Sequence, residues 1–171
     1  MLKIIVSALC FLGIVGCSHT VNMQRYSLVE DISSIASVND EYKVNLSVVG
    51  VSDNSGIVMQ ISPVAVQEAL SNRWSFNLED QLTMLLKDNL YKSNVSKQYN
   101  FKVTVNRFQG SYLGEAQVAA FFEVRNKNGK IVLNKEFAVN KDLTADGYSE
   151  LVLRLKDGFN EICEEAINTL L

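Results

Sequence analysis

Few side chains in this 171-residue chain can act as nucleophiles or metal ligands, and their spacing narrows them further. The cysteines are Cys10, Cys17 and Cys163, and His19 is the only histidine. A cysteine nucleophile needs a base beside it. His19 stands two residues from Cys17, in a segment that reads as tether, and is out of reach of any site built around Cys163. Cys163 falls on the apolar face of an expected C-terminal helix, where a thiol is ordinarily buried and inert. A lone histidine and one buried cysteine cannot assemble a metal centre. The nine glycines form no phosphate-cradling or dinucleotide pattern. Gln109-Gly110-Ser111 lacks the flanking glycine and the histidine partner that a serine nucleophile requires. Glu161, Glu164 and Glu165 cluster at helical spacing and read as a solvated face. These residues predict no catalytic group, no metal and no enzyme.

Cys17 is the exception, because of what precedes it. Lys3 supplies a positive start, residues 4–15 are an almost unbroken apolar run, and Gly16 is a small residue before the thiol. That order describes a secretory signal. The run is about a dozen residues long, against the roughly twenty that cross a bilayer. Ile14-Val15-Gly16-Cys17 resembles a bacterial lipobox. The resemblance implies diacylglyceryl transfer to the Cys17 sulfur, cleavage between Gly16 and Cys17, and acylation of the new amino terminus. The alternative is an ordinary cleaved signal with a chance cysteine nearby. The expected organisation is a signal peptide over residues 1–16, a lipidated tether over 17–25, and one domain over 26–171.

Loss of Lys3 with the signal takes the formal net charge from −3 to −4. A mildly acidic domain without a basic stripe is unsuited to nucleic acid. It also has no polybasic patch for anionic lipid, so membrane attachment falls to the acyl chains, each buried methylene contributing roughly 0.8 kcal/mol. With Cys10 removed and Cys17 modified, Cys163 has no disulfide partner. No cofactor is expected beyond the covalent diacylglyceryl and N-acyl lipid on Cys17.

The elements that must carry these residues follow from periodicity. Tyr26-Ser27-Leu28-Val29 suits a first short strand, and residues 31–41 read as a loop. Val44, Leu46 and Val48 alternate with polar residues, as do Ile57, Met59 and Ile61 after the turn signal at residues 52–56. Pro63 interrupts, and residues 64–70 form another extended piece. Leu78, Leu82, Leu85, Leu86 and Leu90 lie on one helical stripe, with Asn77 as N-cap. Three strands follow, marked by Phe101/Val103/Val105, Val118/Ala120/Phe122/Val124 and Leu133/Phe137/Val139, with Lys135 as an exception in the last. Asn128-Gly129 predicts a two-residue hairpin between the second and third. Asp146-Gly147 opens a final helix whose stripe runs from Tyr148 to Leu170, with Gly158 suggesting close packing. The expected fold is α/β (α+β by some schemes), a single domain with a mixed, mostly antiparallel sheet covered by two amphipathic helices.

Two motifs are less bland. Asn72-Arg73-Trp74 joins polar residues to the only tryptophan, and Trp and Arg are favoured interface anchors, although Trp74 would equally plug the core. Asp146-Gly147-Tyr148 is either a simple helix start or, with Tyr148, part of the same surface. Asn72, Arg73, Trp74 and Tyr148 are the candidate protein interface.

Taken in order, the lipobox, Tyr26-Ser27-Leu28, Asn72-Arg73-Trp74, the leucine helix, Val103-Thr104-Val105-Asn106-Arg107-Phe108-Gln109-Gly110 and Asp146-Gly147-Tyr148 resemble the PqiC-like, ABC-type transport auxiliary lipoprotein family. Residues 50–56 lack the proline common in that family after the first long strand, and Ser149 replaces its frequent aspartate. The resemblance implies a non-catalytic, periplasm-facing lipoprotein of the cell outer membrane. It implies an MCE-domain protein of a phospholipid transport system as partner, and self-assembly, with a ring as one form. Ser18 and His19 after Cys17, with no aspartate, resemble outer-membrane sorting. A lipoprotein that docks on and regulates a cell-wall synthase or another envelope enzyme is the alternative. A lipid-carrying shuttle would need a large apolar cavity, whereas alternating strands predict a filled core.

Overall fold

The computed structural model describes residues 22–30, 42–50 and 55–171. The elements in chain order are β1 (Gln24–Tyr26), β2 (Lys43–Val48), β3 (Gly56–Ser62), β4 (Ala65–Trp74), α1 (Leu78–Lys92), β5 (Asn100–Gly110), β6 (Glu115–Arg125), β7 (Ile131–Asp142) and α2 (Tyr148–Leu170). They form one open seven-stranded sheet in the order β1-β4-β3-β5-β6-β7. β6 pairs along the whole of β5, so the other edge of β5 is shared: β2 lies parallel along its first half, and β3 meets it at Met59↔Gly110. Antiparallel pairing joins the longest strands, β5 to β6 and β6 to β7. The sheet is mixed and covered by two helices, as the patterning requires.

One face of this sheet makes the core. Phe101, Val103, Val105, Val118, Ala120, Phe122, Val124, Leu133 and Phe137 are all buried, on alternate positions of three adjacent strands. They meet Leu82, Leu85, Leu86 and Leu90 of α1 and Leu151, Leu155, Phe159 and Ile162 of α2. Aromatic rings cross edge-to-face inside it, Phe108 on Phe159 and Phe122 on Phe137. Gly158 sits where a β-carbon would stand 3.1 Å from Val118 and 3.2 Å from Val139, so its absence lets α2 approach β6 and β7 closely. Lys135, on the core face of β7, lies with its ammonium 4.6 Å over the Phe137 ring while remaining exposed.

Both ends of α1 are satisfied by side chains. The Asn77 carboxamide oxygen accepts from the Asp80 amide at 3.2 Å, the expected cap. At the other end of α1, the buried Tyr42 hydroxyl lies 3.2 Å from both the Leu90 and Val95 carbonyl oxygens. Gly147, at φ 105°, begins α2 without a capping side chain.

Four expectations change. The first strand is Gln24–Tyr26, not Tyr26–Val29: Leu28 and Val29 turn inward and are buried, because Ser27 bonds the Val29 backbone and ends the extended run. β4 does not stop at Leu70 but runs through Trp74, since β1 pairs with its last three residues. Ile61 is exposed and Val58 is buried, because the β3–β4 ladder is irregular and the outer part of this hairpin leaves the core. The β6–β7 connection is a longer turn, closed by Asn126 and Lys130, with Gly129 at φ 78° and a register shift at Arg125. The loop at residues 31–41 and most of the turn at 52–56 lie outside the described residues.

Candidate functional site

The motifs Tyr26-Ser27-Leu28, Asn72-Arg73-Trp74 and Asp146-Gly147-Tyr148 are far apart in sequence, and the fold brings them to one place. The instrument is β1, which lies parallel to the end of β4 with Gln24 opposite Asn72, Arg25 opposite Arg73 and Tyr26 opposite Trp74. The Tyr26 hydroxyl lies 2.6 Å from Gln24 Oε1 and 3.1 Å from Asn72 Oδ1. Its ring packs 6.4 Å from that of Tyr148, tilted by 40°. Tyr26 therefore joins the outer strand to the start of α2.

Asn72 and Tyr148 belong to this half-buried cluster, while Arg73 and Trp74, which follow Asn72, part ways. Arg73 turns to the residue just before β3, donating to Ser55 Oγ at 3.1 Å, and to the Leu70 carbonyl at 3.3 Å. Trp74 is only 3% exposed, and its ring packs 5.9 Å from Phe108. Of the two roles open to Trp74, the structure assigns the core: a buried indole cannot act as a surface anchor in this conformation. The polar members Asn72, Arg73 and Tyr148 remain accessible.

Behind Tyr26, the chain is held by a residue that periodicity gives no reason to single out. Gln81 is fully buried on α1 among leucines. Its Oε1 accepts from the Leu28 amide at 2.8 Å, and its Nε2 donates to the Phe76 carbonyl at 2.9 Å. A buried amide without a partner is costly, so this side chain makes burial of Leu28 and Val29 affordable. The Tyr26 carbonyl accepts from the Ser75 amide at 2.8 Å, and Lys156 of α2 pairs with Glu30 at 2.8 Å. The hydrogen bond and charge of Lys156 hold the Glu30 carboxyl below its ordinary range. Together these contacts fasten residues 26–30 to both helices.

The other candidates resolve as follows. Burial pushes the Cys163 thiol far above its ordinary range, so it stays protonated and unreactive. Ser111 is buried, with its hydroxyl accepting from the Leu113 amide at 3.1 Å, which fixes the β5–β6 turn. Glu161, Glu164 and Glu165 are exposed, and Glu161 pairs with Lys141. Among the described residues no group of His, Cys, Asp and Glu could hold a metal ion. A groove of about 590 Å³ opens between the helices, bordered by Glu30, Asp88, Lys92, Lys156 and Glu164. Leu28, Val29 and Leu85 line it as well. Cys17 and Gly16 lie outside the described residues.

This geometry fastens residues 24–30 to the sheet and to both helices, and comparison with known proteins gives the family. The model of the ABC-type transport auxiliary lipoprotein component matches residues 43–166, well over half of the chain. The chain belongs to this family. No curated protein matches it significantly. Among solved structures it is similar to an uncharacterized protein with TM-score 0.74 and 21% identity, covering 88% of this chain and 99% of that one. It is also similar to a protein from Xanthomonas campestris with TM-score 0.60 and 16% identity, covering 75% and 84%. At these identities the likeness shows the fold. The family is an auxiliary component of transport systems, and its members are lipoproteins. No helix among the described residues is long and apolar enough to cross a membrane.

Proposed function

We propose that this protein is a non-catalytic, lipid-anchored auxiliary subunit of an MCE-type intermembrane phospholipid transport system, held at the periplasmic face of the cell outer membrane. The observation that carries this reading is the family match over residues 43–166, read with the Ile14-Val15-Gly16-Cys17 sequence upstream of it. Cys17 bears the diacylglyceryl and N-acyl groups after cleavage behind Gly16. Two or three acyl chains bind a bilayer far more tightly than the marginal hold of one. The domain then acts through protein contacts, with an MCE-domain protein as partner and further copies of itself in a ring. Asn72, Arg73 and Tyr148, beside the point where the tether joins the sheet, are the surface we assign to those contacts.

Two experiments test this. Cys17→Ser is expected to leave the protein as unprocessed precursor or soluble material after membrane fractionation; undiminished outer-membrane recovery with normal mobility would overturn the lipid anchor. Crosslinking in intact cells, followed by identification of captured proteins, is expected to return an MCE-domain protein. Capture of a cell-wall synthase in its place would overturn the transport reading.

A further inference from the structure

Among the described residues, the β3–β4 hairpin projects beyond the rest of the sheet. β3 touches β5 only at Met59↔Gly110, and β1 reaches β4 only from Asn72 onward. The strands between, closed at Ser62↔Ala65 around Pro63 and Val64, form a two-stranded ribbon that pairs with no other strand among the described residues. Such a ribbon is marginal in water, and exposed edges are normally blunted by charge. Here they are apolar. Val64 is 95% exposed and Leu70 79%, and Val66 and Ile61 are exposed beside them. Residues 56–67 carry no charged side chain. Glu68 is turned back to the root of the hairpin, where its carboxylate accepts from the Gly56 amide. Tyr112 and Leu113, in the turn that follows β5, are exposed at the same end of the sheet.

The direction of β1 and the length of chain ahead of it point to what covers this ribbon. β1 runs parallel to β4, so the chain reaches Gln24 from the hairpin end of the molecule. Seven residue steps lead from Cys17 to Gln24, a reach of at most about 25 Å. Seven steps also lead from Ala65 to Asn72, the partner of Gln24, a span of about 23 Å along the strand. A tether of this length, leaving β1 in the direction that the strand runs, is therefore long enough to bring the acyl chains of Cys17 level with the hairpin tip. Three residues from Met59 to Ser62 carry the ribbon about 10 Å beyond its last sheet contact. That matches the roughly 5–10 Å depth of apolar groups seated at a headgroup boundary. Glu115 and Asp142, which pair close to the level of Gly110, stay in the aqueous layer.

We infer that the tip of the β3–β4 hairpin is a second membrane contact, seating Val64 and its neighbours in the bilayer that holds the lipid of Cys17. This rests on the anchor proposed above. It orients the domain with the β6–β7 turn, at the opposite end of the sheet, pointing away from the membrane. Lipidated full-length protein carrying Val64→Cys, labelled with an environment-sensitive fluorophore, tests it. Cys163 is buried and the sulfur of Cys17 is alkylated, so the label is selective. The protein is reconstituted into phosphatidylethanolamine/phosphatidylglycerol vesicles, with and without a nitroxide-bearing lipid. Blue-shifted emission and quenching by the nitroxide are expected for Val64→Cys, and neither for Lys127→Cys at the β6–β7 turn. Flotation of the protein with the Val64 probe unquenched would overturn the hairpin contact and leave the anchor standing. Failure of unlabelled protein to float would overturn the anchor and the contact together. Protection of the Val64 probe in lipid-free protein, with crosslinks between subunits through that position, would assign the hairpin to a second copy of the chain and also overturn the proposal.

Discussion

Replacing Gln81 with leucine isolates what fastens the N-terminal segment to the domain. Leucine has a similar volume and belongs among the neighbouring leucines of α1, so little cavity is made. What disappears is the acceptor of the buried Leu28 amide, at 2.8 Å, and the donor to the part-buried Phe76 carbonyl, at 2.9 Å. A buried amide left without a partner costs about 1–3 kcal/mol and a part-buried carbonyl somewhat less, so a net loss of about 2–3 kcal/mol is expected after the apolar gain of leucine. Trp74 is the only tryptophan and is buried, so its fluorescence follows unfolding in denaturant without added label. The midpoint should fall with little change in slope, since the surface exposed on unfolding is the same. Hydrogen exchange of the Leu28 amide should accelerate by more than that of core amides in β6, because local release of residues 27–30 precedes global unfolding. An unchanged midpoint with Leu28 still protected would refute the reasoning: the segment would then be held by the burial of Leu28 and Val29 alone.

Three further outcomes follow from the packing and charges. Leu85→Ala should lower stability by about 2–5 kcal/mol and Phe159→Ala by about 3–5 kcal/mol, both side chains lying in the core; a thermal melt unchanged for either would show that its helix face is not buried. Trp74→Ala should destabilise the fold by about 3–5 kcal/mol, whereas Arg73→Ala should stay within about 0.5 kcal/mol and act on partner capture instead; equal stability losses in both would remove Arg73 from the proposed interface. Hydrogen bonds from Arg154 and Thr144 hold the Glu150 carboxyl down from the ordinary 4.5 to about 2. Because the folded value is depressed, the stabilising contribution is full above the unfolded value and is lost as pH falls from about 4.5 to about 2. An NMR titration of Glu150 with its midpoint at the ordinary carboxylate value would refute this tie between α2 and the loop before it.

The elements with strong local periodicity were legible. The leucines of α1 and the stripe of α2 are buried where a 3.6-residue repeat puts them, and the alternation in β5, β6 and β7 gave the core face. Asn128-Gly129 marked an antiparallel neighbour correctly but not the turn geometry, because Asn126 Oδ1 captures the amides of Asn128 and Lys130 and lengthens the loop. Ile57, Met59 and Ile61 looked like one buried face, yet Ile61 is exposed. Alternation reports which residues share a side of a strand; it does not report where the strand leaves the sheet. Asn72-Arg73-Trp74 was singled out for its residue types, and its end-of-strand position and the burial of Trp74 were not readable from them.

The chain by itself determined the chemistry confined to short stretches: the apolar run ending in Gly16-Cys17, the helical stripes, the alternating strands, and the lack of histidine partners for Cys163 and Ser111. These depend on neighbours within a few residues, whose relative positions covalent geometry and periodicity set. Tertiary structure alone decided that β1 lies parallel to β4, placing Tyr26 against Asn72 and Tyr148, and that β2 lies parallel to β5 across an intervening hairpin and helix. Parallel partners are separated by long connections, and the register between them is chosen by the joint burial of side chains from both strands and the helices over them. The same closure put Gln81 opposite an amide 53 residues away and left the β3–β4 ribbon without a neighbouring strand among the described residues, because its strands outrun the sheet beside them.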